Sequence, residues 1–317
     1  MARDRLYDVA PAILGKTAPS NNPMRVDVLR VQRVFVVSVL ALLVSTFAHP
    51  QDVGTLTLLE STPLRVIRGT SAMQGVEGMK LRPGDILETG PAGAAQAQLE
   101  FAGGAIVELG PSTQVYLLSQ TGSTANLVLL SGWLKGETTA GSYVYSSPLA
   151  SATTKGGNIL LHALADSADI FVEHGVASVS GGGGAAMPSS ADKVFFTHKA
   201  GKLLTPAARP SKDFIAGMPI PFRDVLPSRM EKFSGKKPPT PKVDHEVSYT
   251  DIERWLMLPT VWRRSFATRF SPRLHDSAFR QAISDHIGTL PEWGPYLHPE
   301  DQKANPTADK SSSPSGE

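Results

Sequence analysis

Residues 81–118 read LRPGDILETGPAGAAQAQLEFAGGAIVELGPSTQVYLL, a series of apolar runs too short for helices and separated by Pro/Gly turns. Such spacing admits short strands and little else. Pro83-Gly84-Asp85 supplies one turn, because Pro fixes φ and Gly accepts a positive φ. Gly90-Pro91-Ala92-Gly93 supplies a second. From Gln96 the pattern alternates: Ala97, Leu99 and Phe101 share one face, and Gln96, Gln98 and Glu100 the other, as in a strand with one wet side. Gly103-Gly104 fits a hairpin tip. Ile106, Val107 and Leu109 then form the return strand, and Val115 to Leu118 open another. Further strands are expected over 53–59, 64–67, 127–130, 143–145, 159–161, 170–172, 176–179 and 194–197, the last with Lys202-Leu203-Leu204 as its partner. No segment among them is long enough for a crossover helix, which disfavours a parallel α/β sheet.

The order Gly84-Asp85, Thr89-Gly90, alternating strand, Gly103-Gly104, apolar return strand, Pro111-Ser112 resembles the FecR domain of bacterial envelope proteins. The resemblance continues through Leu127 to Leu130 with Ser131-Gly132-Trp133-Leu134, through Ser146-Ser147-Pro148-Leu149-Ala150, and through Phe171-Val172-Glu173-His174-Gly175-Val176. It covers about residues 81–180. Where that family commonly has Arg-Gly-Thr, this chain has Lys155-Gly156-Gly157-Asn158. The resemblance implies a twisted, solenoid-like β-domain, with a sandwich as the alternative. It also implies a periplasmic module that relays a signal from an outer-membrane receptor.

The chain has 317 residues and no cysteine, so packing rather than disulfides must hold any exported domain together. A formal charge of +2 gives no reason to expect nucleic acid. Residues 1–23 show no period and read as unstructured or as a mis-assigned start. Residues 24–48 read as a signal peptide, with Arg25, Arg30 and Arg33 ahead of an apolar run ending at Ala48. Export to the periplasm with cleavage after Ala48 is expected; an uncleaved inner-membrane anchor facing the periplasm is the alternative. Only thirty-three residues precede Val34, too few for the cytoplasmic anti-sigma segment that full transducers of the family carry.

The expected organisation is a FecR-like β-domain over 49–205, a Pro-rich linker over 206–247, a helical module over 248–293 and a disordered tail over 294–317. Leu99, Phe101, Ile106, Val107, Leu109, Val128, Leu130 and Val172 are the expected core. In the helical module Thr250 and Glu253 have capping-box spacing, Asp276 stands where a helix cap belongs, and Gly288 fits a C-cap. The linker can bury little, and the hydrophobic period and charge balance both change across it. The helices are therefore expected to form a separate unit whose removal leaves the β-domain folded.

No histidine pair has metal-ligand spacing, and Ser112 lacks the strand-to-helix setting of a nucleophile elbow. No catalytic residue, metal or cofactor is expected, and the chain reads as a binding module rather than an enzyme. The one candidate contact surface is Arg254, Trp262, Arg263, Arg264, Arg269 and Arg273, where guanidinium groups and an aromatic ring suit an acidic partner or an anionic polymer. The expected partner is an envelope protein, such as an outer-membrane receptor, or else peptidoglycan in a structural role.

Overall fold

The computed structural model describes residues 52–299 apart from 62, 92–95, 122–123, 183 and 190–192. The expected start region, the signal peptide and the chain beyond 299 lie outside the described residues. The protein is mainly β, with a small C-terminal helical segment.

The strands form one open sheet that folds over on itself. In the first layer, β1 (Gly54–Glu60) lies between β4 (Lys80–Leu81) and β6 (Gln96–Phe101), and β6 pairs with β7 (Ala105–Leu109). The layer continues through the second halves of β9 (Thr124–Thr138) and β11 (Ala150–Ala163) and the first half of β12 (Ser167–Gly181). It ends at β14 (Val194–Lys199) and β15 (Thr205–Ala207). In the second layer, β16 (Val243–Glu246), β3 (Ser71–Gln74), β2 (Arg65–Arg68), β5 (Ile86–Glu88) and β8 (Gln114–Thr121) lead to the first half of β9. From there β10 (Ser142–Ser146), parallel to β9, leads to the other halves of β11 and β12 and then to β13 (Met187–Ser189).

Three long strands thus pass from one layer to the other, and each turns the corner at glycine. Gly132 in β9 has φ +92°, where a Cβ would sit 2.6 Å from the Thr113 Cα. In β11 and β12 the register shifts where Gly157 faces Gly175, with φ +102° and +90°. Between the layers lies the core: Leu99, Val107, Leu109, Leu134, Ile159 and Val172 from one side, and Val66, Leu87, Val115, Leu129, Tyr143 and Tyr145 from the other. Gly136 lets the layers close, since a Cβ there would lie 2.3 Å from the Tyr145 hydroxyl oxygen.

Of the expected core, Leu99, Phe101, Val107, Leu109, Val128 and Val172 are buried, whereas Ile106 and Leu130 are half-buried on outer faces. Phe101 meets Tyr143 edge-on across the core. Phe101→Ala is expected to destabilise by roughly 3–5 kcal/mol in denaturant unfolding, the usual cost of emptying a buried phenylalanine site.

The face of β6 expected to be wet is covered instead: Gln98 and Glu100 are buried. The covering chain is the stretch expected to be a linker. It contains α1 (Lys212–Gly217), capped by Ser211, and two 3-10 turns at Ile220–Arg223 and Met230–Phe233. Phe214 and Phe222 insert beside Trp133, Leu160 and Phe195, and Leu226 is buried farther along. Its end is anchored as well, because Val243–Glu246 pairs with β3. The partner of β14 is β15, downstream of the expected 202–204; Leu203 itself is exposed.

The helices are α2 (Tyr249–Leu256), α3 (Thr260–Phe270), α4 (Ser277–Asp285) and α5 (Gly294–Leu297). The capping box lies two residues before the expected one, where Asp251 accepts from the Ser248 backbone N–H at 2.8 Å. Asp276 caps α4 by accepting from Phe279 N–H at 2.9 Å, as expected. That helix ends at Asp285 with His286 as its cap, so Gly288 falls in the following turn. Order extends into the expected tail, since Leu297 is buried. The helices do not enclose a private core: Ile252, Trp255, Phe266 and Phe270 pack with Ile67, Ile86, Tyr116 and Val128 from the outer face of the second layer.

Candidate binding site

Three of the six candidate surface residues point inward. Arg263 is buried; it donates to the carbonyls of Leu256 and Thr289 and pairs with Glu292 at 3.1 Å. Arg273 is buried too, donating to the Val247 carbonyl at 2.7 Å and pairing with Glu246 and Asp276. Arg269 donates to three carbonyls of the sheet: Ile67 at 2.9 Å, Gly69 at 3.0 Å and Gly84 at 2.5 Å. Burial pushes its guanidinium down to about 10. Arginine suits these places because its fork satisfies several carbonyls left open at turns and helix ends. Arg254 is exposed and donates to the Gln114 side chain, Trp262 is half-buried against the helical cluster, and Arg264 is exposed. As a contact surface the set therefore reduces to Arg254, Trp262 and Arg264.

The outer face of the first layer carries a denser arrangement. Lys135 is buried in β9, and its Nζ donates to the carbonyls of Phe222 at 3.0 Å and Asp224 at 2.7 Å. It also lies 3.4 Å from carboxylate oxygens of Glu137 and Glu173. Glu137 accepts from Leu226 N–H at 2.9 Å, and Gln98 donates to the Pro227 carbonyl at 2.9 Å. Glu100 accepts from the Ser228 hydroxyl and the Arg229 N–H at 2.6 and 2.7 Å. The polar row of the sheet thus holds the backbone of residues 222–229, which we call the strap together with α1.

Glu108, opposite Lys135 in the ladder, lies in the same row and accepts from Gln96. Burial raises its carboxyl to about 7, against the opposing effects of the Gln96 hydrogen bond and the Lys135 and Arg229 charges. A carboxyl raised on folding contributes stability that is complete below its unfolded value near 4.5 and is lost as pH climbs through the folded value near 7. Glu108→Gln is therefore expected to flatten the decline of stability between those limits by on the order of 3 kcal/mol. Urea unfolding of both proteins across that range measures it.

At the end of the strap, where α1 meets the sheet, lies an open cavity of about 390 Å³ lined by His162, Ser167, Asp169, Phe195, Asp213 and Phe214, among others. It runs into a second of about 570 Å³ past Thr197 and Lys199, which line both. The ladder explains the grouping: Trp133, His162, Asp169, Thr197 and Thr205 are successive partners on β9, β11, β12, β14 and β15 and share one face. The His162 ring stacks on Trp133 with centroids 3.8 Å apart, and burial holds its imidazole below the usual histidine range, against the nearby Asp169 charge. Among the described residues Asp169, Asp213, Lys199 and Lys202 form no ion pair with one another or with other groups. Two anions, two cations, hydroxyls and an aromatic floor make a surface that discriminates by charge and shape. Sequence reading missed this groove because its residues come from six separate segments; the signal present was strand alternation over Phe195 to Lys199, which puts Phe195, Thr197 and Lys199 on one face.

No family model matches the chain, and no curated protein matches it. Two crystal structures of a "putative anti-sigma factor" from Parabacteroides distasonis are similar to it, at 10% and 12% identity. Each alignment covers 41% of this chain and has a TM-score of 0.36. The chain spans 63% and 62% of the length of those two proteins.

Proposed function

We propose that this chain is a non-enzymatic regulatory or sensor module of the cell envelope, exported to the periplasm, that engages a partner protein at the groove beside α1. The groove carries this reading. It offers four charged side chains unpaired within the described protein, beside a buried aromatic floor, on a face held rigid by a five-strand ladder. The ordered turn motifs, which resemble the FecR domain, support a signalling context with an outer-membrane receptor as partner. No helix among the described residues is long and apolar enough to cross a membrane. Intact-mass measurement of the extracytoplasmic protein is expected to give a chain beginning at His49, and a membrane-embedded product retaining residues 34–48 would contradict cleavage.

Lys199 and Lys202 are exposed, so charge reversal there is expected to leave stability within about 0.5 kcal/mol. Lys199→Glu with Lys202→Glu is expected to reduce recovery of a membrane receptor in co-purification from envelope fractions at least about tenfold, since like-charge juxtaposition costs several kcal/mol. Unchanged recovery would move the contact elsewhere. Sedimentation with isolated wall sacculi, in place of receptor recovery, would identify peptidoglycan as the partner.

A further inference from the structure

We propose that the outer face of the first layer is a peptide-binding surface whose resident occupant is the strap. The partner that displaces the strap is a peptide segment that makes a single turn and carries two apolar side chains four residues apart, as Phe222 and Leu226 are. This rests on reading that side of the molecule as the binding face, and it adds what is bound and how the face is regulated.

The way the face holds the strap favours this reading. Lys135, Glu137 and Gln98 contact only backbone atoms of the strap, and Glu100 contacts one backbone N–H and one hydroxyl. Backbone recognition does not depend on side-chain identity, so another chain that follows the same backbone path can occupy the face. Beyond Phe214 of α1, specificity comes from the buried anchors Phe222 and Leu226, while Ile220 and Val225 beside and between them are exposed. The strap forms no ladder with the strands it covers, so lifting it breaks no sheet pairing. Beneath it Glu100, Glu108, Lys135 and Glu137 are buried in one region of the face. Buried charges cost desolvation that is recovered when water returns, which lowers the free energy of lifting the strap relative to that of opening an apolar interface. Lifting also moves Phe214, Ser211 and Asp213, which line the groove, so occupation of the face and the shape of the groove are linked.

The absence of native cysteine gives a clean test. Leu160 lies on the outer face beneath the strap and its neighbour Leu161 lies in the core between the layers. In the full chain, Leu160→Cys is expected to react with a small thiol reagent at least about tenfold faster than Leu161→Cys, after each rate is referred to that variant's own unfolding free energy. Gln98→Cys against Leu99→Cys repeats the comparison on β6, should a leucine variant fail to fold, because Gln98 is buried beneath the strap and Leu99 lies in the core between the layers. Equal corrected rates would mean that the strap leaves only when the sheet unfolds, and would overturn the proposal whatever the groove binds.

The second arm uses a synthetic peptide of residues 219–230. An intrachain strap competes at an effective concentration on the order of millimolar, so the intact chain is expected to bind the peptide poorly. A chain carrying Phe222→Ala and Leu226→Ala is expected to bind it saturably and at least about tenfold more tightly, and to ignore a peptide lacking both anchors. No binding to that variant, with its fold retained by circular dichroism, would overturn the proposal as well.

Discussion

A chain ending at Ser234 is expected to lose its cooperative unfolding transition or to unfold about 10–20 °C below the longer protein. Removing the helices uncovers Ile67, Ile86, Tyr116 and Val128, which are buried beneath them. At about 1.5–3 kcal/mol for each large apolar side chain returned to water, the loss is on the order of 5 kcal/mol or more. A domain is stable by about 5–15 kcal/mol in all, and each kcal/mol shifts the midpoint of a chain this size by about 2–4 °C. Polar losses add to this. Arg269 no longer satisfies three sheet carbonyls, and Glu88 loses the Trp255 indole N–H at 3.2 Å. A midpoint equal to that of the longer protein would restore the separate-unit reading suggested by the Pro-rich stretch over 206–247.

Gly157→Ala is expected to cost about 4 kcal/mol or more, against about 1–2 for Gly84→Ala. Both glycines have positive φ, +102° and +90°, so both substitutions strain the backbone. They differ in what the added methyl meets. At Gly84 there is nothing within 4 Å, whereas at Gly157 the new Cβ would lie 2.1 Å from the His174 carbonyl oxygen. The opposing Gly175 has its own site blocked, 2.6 Å from the Gly156 carbonyl oxygen, so the clash cannot be relieved from that side. Equal costs in urea unfolding would show that β11 and β12 do not approach this closely at the corner.

Most of the strands were legible because their signals are local. Alternation over Gln96 to Phe101 and glycine at the turns belong to neighbouring residues, and the strands follow them. The folding-over was written in the same residues less visibly. Val115 to Leu118, Leu127 to Leu130 and the Val66-Ile67 and Ile86-Leu87 pairs are apolar on both faces, the pattern of strands covered on both sides. Their second faces are those on which the helices dock. The strap was hidden by the opposite circumstance: beside the apolar cluster of Trp133, Leu160 and Phe195 it covers a polar row, and it does so by offering backbone groups to Gln98, Glu100, Lys135 and Glu137. Alternation alone cannot distinguish a polar face satisfied by water from one satisfied by chain some hundred residues away. The arginines were misread for a related reason. Position on a helix surface does not reveal the sheet carbonyls that Arg269 reaches, and those lie about two hundred residues upstream.

The two layers and the helices on the second layer are expected to unfold as one cooperative unit, with the strap as a cover that opens separately. Native-state hydrogen exchange tests it most directly, because amides that open together share one opening free energy and one denaturant dependence. The amides of Leu129 and Leu134, on either side of the corner in β9, are expected to converge with those of Trp255 and Phe266 on the global unfolding isotherm. Those of Phe222 and Leu226 are expected to join a lower one. Exchange of the Trp255 and Phe266 amides through a separate opening several kcal/mol below that of β9 would contradict the account.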